Sequence, residues 1–579
     1  MIEGRSHLRA QGGPPDRWEA VHLLMPLIDG HRRPLGPYTV GSALLHHLVP
    51  AALDSSKDLV AAHDIEIQAV APGLCDRVPL RRMALDASLS EDERILVPAP
   101  RRSLRLANGI AEFVRAVVPP GRALAVCNAD AVDPTDAELL DVLMRRIPPD
   151  ILTIMVYSGG PEPPEESRDA DELWELVDHC TREGFLHALV ELGQLGLART
   201  EPGSRRWWLF AQRTATALGA LGQTLEARVL WEAARRSSQD PAVHSASAYG
   251  TAMLDARHPD AAQRDLGRAT GWINQAIAIS SLLPDPMERA FKLGFDRNGL
   301  ALIELRQGRP EAALALVDSA IDLARELGER HPVHRMVLLA NRAQLLATLG
   351  RVKEALEEYG AAIAIDPMFP DYYLDRGNLL YRLGRHGEAL ADYEWAMEVG
   401  PPLPEAHYNR AELRVVRDDL GGALMDLGRV IELDPDYLDA YINRAGLLAM
   451  LERDEEARAD VTVGLGQSPG NPYLLVVLGQ LETAAGRLGE ARRALDLAVG
   501  AAPELASAWG NRGVLRYEAG DWVGALADLT QAITLEAHQP TLYDNRAVVH
   551  RALGHPAEAA ADDERAARLR SGSVQGIRD

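Results

Sequence analysis

From Met336 the chain repeats itself every 34 residues, and the register holds to Arg570 without an insertion. The copies read "NRAQLLATLGRVKEALEEYGAAIAIDP" (341–367), "DRGNLLYRLGRHGEALADYEWAMEVGP" (375–401), "NRAELRVVRDDLGGALMDLGRVIELDP" (409–435) and "NRAGLLAMLERDEEARADVTVGLGQSP" (443–469). Three more start at Val477, Asn511 and Asn545. A strict period of this length is one small unit used many times. Such a unit cannot bury its apolar face alone, so neighbours must stack. Two columns stay small throughout. One is Ala343, Gly377, Ala411, Ala445, Gly479, Gly513 and Ala547; the other is Ala355, Ala389, Ala423, Ala457, Ala491, Ala525 and Ala559. These are the points where two helices of a hairpin touch. Pro367, Pro401, Pro435, Pro469 and Pro503 close the units, since proline cannot continue a helix.

This pattern resembles the tetratricopeptide repeat family over 336–570. The resemblance implies a mainly α fold, an α-α superhelix (solenoid) with a concave groove lined by the first helices. It also implies that the groove holds an extended peptide or a helix of a partner protein. The sixth position, which in that family often carries a groove-facing Asn, reads Asn341, Asp375, Asn409, Asn443, Val477, Asn511 and Asn545. A side-chain amide both donates and accepts, so a ladder of Asn can grip a peptide backbone. With Asn378, Tyr381, Tyr408 and Tyr517, these residues (Val477 excepted) are the candidate peptide-binding set. The other groove positions, among them Arg382, Glu412, Gln480, Glu518, Asp544 and Arg551, are mixed in charge. Residues 336–573 hold 23 Arg and Lys against 37 Asp and Glu, which favours a ligand of basic character.

The seventh position is Arg342, Arg376, Arg410, Arg444, Leu478, Arg512 and Arg546. Sixteen residues on come Glu358, Asp392, Asp426, Asp460, Ala494, Asp528 and Asp562. The unit that lacks the Arg also lacks the acid. The spacing predicts an Arg–carboxylate pair between the two helices of each hairpin, bidentate where geometry allows. The last unit has Asp563 where the others have a large residue, as expected of a polar cap. A disordered tail is expected over 574–579.

Upstream the pattern drifts. Hairpins are expected at 298–324, 207–235, 242–285 and 172–198, giving nine to eleven in all, with divergent repeats over 166–335. Residues 1–165 read differently. Strand-like runs (93–100, 122–129, 150–159) alternate with helix-like ones (41–53, 103–117, 135–146), as in an α/β domain with a parallel sheet. Residues 1–16 are expected to be disordered or a tag, "IEGR" resembling a factor Xa site. The segment "RALAVCNADAVDPTDAELL" (122–140) resembles part of the ATPase domain of bacterial STAND regulators of the LuxR-like kind. That resemblance implies a Mg²⁺-holding pair of acids, but Cys127 and Asn128 stand at those positions, leaving Asp130 and Asp133. No GxxxxGK[ST] phosphate loop occurs, and Lys57 is the sole Lys of the region. A degenerate pseudo-ATPase-like domain is therefore expected. The clusters "HDIE" (63–66) and "HRRPLGPY" (31–38) are expected at the surface or in turns, and Cys180 packed rather than reactive.

The formal net charge of −23 disfavours general nucleic-acid or anionic-membrane binding. No signal peptide or membrane span is expected, and three scattered Cys predict a reduced, cytoplasmic location. The expected function is a non-enzymatic cytosolic scaffold or adaptor, without cofactor or metal, binding a protein or extended peptide in the groove. The alternative is a signalling regulator whose N-terminal domain still binds a nucleotide or metabolite and switches the array.

Overall fold

The computed structural model describes residues 6–15, 22–32, 36–80, 101–162 and 167–575. The strand expected over 93–100 lies outside them. Two compact units divide the chain, Met1–Ala406 and His407–Asp579.

The first unit opens with four parallel strands, β1 (Leu8–Ala10), β2 (Ile28–Asp29), β3 (Arg122–Cys127) and β4 (Leu152–Tyr157), in the order β1-β4-β3-β2. β3 and β4 are near-continuous apolar runs because both faces are buried. Leu124, Val126, Ile154 and Val156 join the main core, while Ala123, Ala125, Cys127, Met155 and Tyr157 pack together on the other face. Helices α1 (Thr39–Ser55), α2 (Lys57–Ala62), α3 (Asp64–Val70), α4 (Arg102–Val117) and α5 (Pro134–Arg146) fall between the strands in sequence. β1 lies inside the segment expected to be disordered: its three residues pair in register with Met155–Tyr157, an edge too short to read from the sequence.

The hairpins follow. In the first unit they are α6/α7 (Ala170–Glu183, Leu186–Ala198), α8/α9 (Arg205–Ala220, Thr224–Ser237), α10/α11 (Pro241–Ala256, Leu266–Ser280) and α12/α13 (Pro286–Arg306, Pro310–Glu326). The regular pairs α14/α15 (Pro332–Thr348, Val352–Ile365) and α16/α17 (Pro370–Arg382, His386–Val399) complete it. Helix α18 (Pro404–Val416) spans the division. The second unit continues with α19 (Leu420–Leu433), α20/α21 (Leu438–Met450, Asp454–Gln467), α22/α23 (Pro472–Ala484, Leu488–Ala501), α24/α25 (Ala506–Glu518, Trp522–Leu535) and α26/α27 (Pro540–Ala552, Pro556–Gln575). Eleven hairpins are thus described, at the upper end of the expected number. The core of the α/β region does not stop near 165. It runs on through Leu173, Val177, Cys180, Phe185 and Leu189 to Phe210.

The small columns have a steric cause. A Cβ on Gly377 would come 2.6 Å from the Tyr393 ring, on Gly479 2.4 Å from Leu495, and on Gly513 2.7 Å from Leu529. Each large residue lies 16 positions downstream, on the second helix of the same hairpin. Between the helices the chain turns through a positive φ at Gly350, Gly384, Gly486, Gly520 and Gly554. Asp418 and Glu452 take the same turn at φ 62° and 57°, where a Cβ is strained. The last helix, α27, buries Ala559, Asp562 and Ala566. Its backbone stays helical to Gln575, two residues into the 574–579 segment expected as a disordered tail.

Candidate functional site

The Arg–acid pairs form as the spacing predicts. Arg376 donates through Nε and Nη2 to Asp392 at 2.8 and 2.7 Å, Arg410 to Asp426 at 2.9 and 2.7 Å, and Arg444 to Asp460 at 2.7 and 2.6 Å. Arg512 meets Asp528 at 2.8 and 3.0 Å and Arg546 meets Asp562 at 2.8 and 2.7 Å. Arg342 divides itself between Glu358 and Asp318, the latter at 2.7 Å. The five Asp side chains are buried, so each rung places a carboxylate inside the hairpin with two parallel donors on it. Three arginines also lie over an aromatic ring three residues earlier: Arg376 over Tyr373, Arg512 over Trp509 and Arg546 over Tyr543, at 4.8–5.8 Å. Each of these arginines is thus engaged by groups of the repeats themselves.

The candidate groove residues divide into those spent on neighbours and those gathered with one another. Asn341 donates to Asn298 at 2.9 Å, Asn511 to the Ser507 carbonyl at 2.8 Å, and Asn378 accepts from Tyr393 at 2.9 Å. Tyr381 stacks on His386, and Tyr517 packs onto the Ala525–Leu529–Val549 cluster. Asn409 and Asn545 are half-buried on α18 and α26. In the first unit, Asp375 is open to solvent on one side yet hemmed in by protein. That loss of surrounding water, then Asp371, pushes its carboxyl up to about 6. In the second unit, Tyr408 on α18 accepts from Asn443 on α20 at 2.8 Å and lies 5.2 Å from the Tyr437 ring. Tyr408 also bonds Glu412, whose carboxyl is raised by burial and then by Asp439. Two tyrosines, two acids and an amide thus converge on adjacent first helices. The repeat offset makes this legible afterwards: Asp371, Glu405 and Asp439 all occupy the second position of their units.

In the N-terminal region the acids serve the fold. Asp133 is the N-cap of α5, its carboxylate accepting from Thr135 N–H at 2.8 Å, and burial raises its pKa. Asp130 is exposed in the turn before it. Asp136, not singled out in the sequence, is fully buried and accepts from Val40 and Gly41 N–H at 2.8 and 3.0 Å. It ties α5 to the start of α1, and burial pushes it up to about 7 against those two donors. Asn128 (φ 54°) donates to Asp29 at 2.8 Å and to the Pro161 carbonyl at 2.9 Å. "HDIE" is not a surface feature: Asp64 and Glu66 are buried, Glu66 lying against Gly109 of α4, which has room for it only because it has no side chain. Tyr38 of "HRRPLGPY" is likewise buried. Cys180 is fully buried, and burial raises its thiol pKa well above the ordinary value. Among the described residues, no three His, Cys, Asp or Glu gather where they could hold a metal ion, and no helix is long and apolar enough to cross a membrane.

Stacked helical hairpins with a fixed 34-residue register define a helical repeat protein. The tetratricopeptide repeat pattern matches at residues 343–384, and again at 374–437 and 476–540. Over 140 residues, 22% of this chain, the sequence is 35% identical to tetratricopeptide repeat protein 36 from Bos taurus, covering 71% of that protein. The chain belongs to the tetratricopeptide repeat family, whose members mediate protein–protein interactions. Among solved structures it is similar to a tetratricopeptide repeat protein from Parabacteroides merdae (22% identity, 40% of this chain and 93% of that one, TM-score 0.36). It is also similar to YrrB, described as having an unusual peptide-binding site (21%, 31% and 94%, TM-score 0.27), and to yeast Tom70 (14%, 71% and 87%, TM-score 0.32).

Proposed function

We propose that the protein is a non-enzymatic cytosolic scaffold whose repeats hold a partner protein through an extended segment of basic character. The observation that carries this reading is the cluster of Tyr408, Glu412, Tyr437, Asp439 and Asn443. Its acids favour a cation and its tyrosines offer π faces to one. A photo-crosslinking residue at Asn443 of the full chain should capture a partner in cells, and one at the exposed Arg493 should not. Capture at Arg493 with none at Asn443 would move the binding surface elsewhere.

The all-parallel sheet favours a second reading, in which the N-terminal domain binds a nucleotide or metabolite at the carboxyl ends of its strands. There Asp29, Asn128 and Ser158 would line the site. Isothermal titration with ATP, ADP and GTP tests it: micromolar affinity supports a switching regulator, and absence of heat removes it.

A further inference from the structure

In the first unit, one side chain of the α/β region reaches a repeat 266 residues further along. Arg105 of α4 is buried (6% exposed) and points its guanidinium at Asp371 and Glu405, which begin α16 and α18. Both Nη atoms fall on the same Asp371 oxygen, at 3.3 and 3.4 Å, and Nη2 lies 3.4 Å from Glu405 Oε2. Neither Arg105 Nε nor Glu405 Oε2 has a hydrogen-bond partner among the described residues. Five rung arginines of the same fold (Arg376, Arg410, Arg444, Arg512 and Arg546) sit differently, with two parallel bonds to two oxygens at 2.6–3.0 Å. A buried cation held at longer range, with donor and acceptor left over, is poorly matched to its partner. An arginine approaching from another direction could place its fork on both carboxylates.

We infer that Asp371 and Glu405 form an arginine-reading station of the repeat surface, filled here by the chain's own Arg105 and open to an arginine of a partner segment when that contact gives way. The inference rests on the reading of the repeats as a peptide-holding surface and names the side chain they read. Lysine fits less well, because an ammonium cannot span two carboxylates with a planar fork. The ligand class is thus an arginine-bearing segment, and α4 is its internal competitor.

The test uses the full chain with Arg105→Ala, and with Arg105→Gln should the first variant not fold. The probes are ethylguanidinium, ethylammonium at equal ionic strength, and N-acetylarginine amide. Ethylguanidinium should raise Tm of the variant saturably by about 2 °C, as a weak ligand near tenfold over its Kd would. Ethylammonium should do so less, and wild type should not respond to either. Adding Glu405→Gln should abolish the rise. N-acetylarginine amide should act like ethylguanidinium. An equal response to ethylammonium, or a rise that survives Glu405→Gln, overturns the station. A response to ethylguanidinium without one to N-acetylarginine amide overturns its role toward a peptide. Crosslinking at Asn443 is independent of every arm, so failure of the station and failure of the scaffold reading remain distinguishable.

Discussion

The regular and the divergent hairpins reach the same shape but bury their acids in opposite ways. In the regular ones the buried Asp of each rung is matched by an Arg of its own repeat. In the divergent ones the partners come from wherever the neighbouring helices bring them. Asp255 accepts from Arg228 at 2.6 Å and Arg268 at 2.8 Å, on two different helices. Asp296 has hydroxyl donors, Ser280 at 2.7 Å and Ser245 at 3.4 Å, and burial pushes its carboxyl up to about 7. His334, beside Phe291 and Phe295, is pushed down to about 4 by burial and then by His331. A charge balance kept within one unit can be copied, whereas one spread over neighbours has to be built once, in place.

The sharpest way to break that contrast is to remove half a rung. Arg444→Ala leaves Asp460 buried without its donors and should destabilise α20 and α21 by about 3 kcal/mol, read as faster local hydrogen exchange. The pair Arg444→Leu with Asp460→Ala copies what Leu478 and Ala494 already provide one repeat on. It should return the loss to within about 1 kcal/mol, because no charge is left unpaired.

The divergent side predicts a pH effect of the next size. The folded pKa of Asp296 lies above its unfolded value, so its contribution is complete below about pH 4 and lost as pH rises through about 7. His334 runs oppositely: its folded pKa is depressed, so stability is lost as pH falls from about 6.5 toward about 4. Comparing wild type with Asp296→Asn isolates the first. Between pH 5 and 8, wild type should lose roughly 2 kcal/mol more than the variant in chemical denaturation.

The repeat without a rung has its own acid. Glu482, bonded by Arg487 and Arg458, is held down to about 2. A depressed carboxyl stabilises above its unfolded pKa near 4.5 and loses that as pH falls toward 2. Glu482→Gln should therefore cost about 1.5 kcal/mol at pH 7, discounted for the exposed arginines, and little at pH 2.5. Smallest is Glu452→Gly, which relieves a positive φ and should raise stability by about 1 kcal/mol in thermal melts.

Much of the fold was legible because periodicity samples one physical constraint seven times. The Gly377 and Gly479 contacts, the closing prolines and the Arg–Asp rungs each recur, so a column exposes what one copy conceals. The groove was less legible. Side chains such as Asn341 and Asn511 hold positions expected to face a groove but are spent on Asn298 of a neighbouring hairpin and on the Ser507 carbonyl one turn back. Asp371 and Glu405 were passed over because nothing in a repeat announces that Arg105, from another kind of structure, will meet them. β1 is three residues long, and "HDIE" looks polar until Gly109 makes room for Glu66.

The rung has a consequence for how such a chain changes in length. Its Arg and its acid lie 16 residues apart inside one repeat. A recombination event between two similar hairpins therefore removes or adds both, never one alone. The array can gain or lose blocks of 34 residues without stranding a charge. The contacts from Arg342 to Asp318, Arg458 to Glu482 and Arg512 to Asp496 cross from one repeat to the next. Those seams are where a deletion or duplication should be tolerated least.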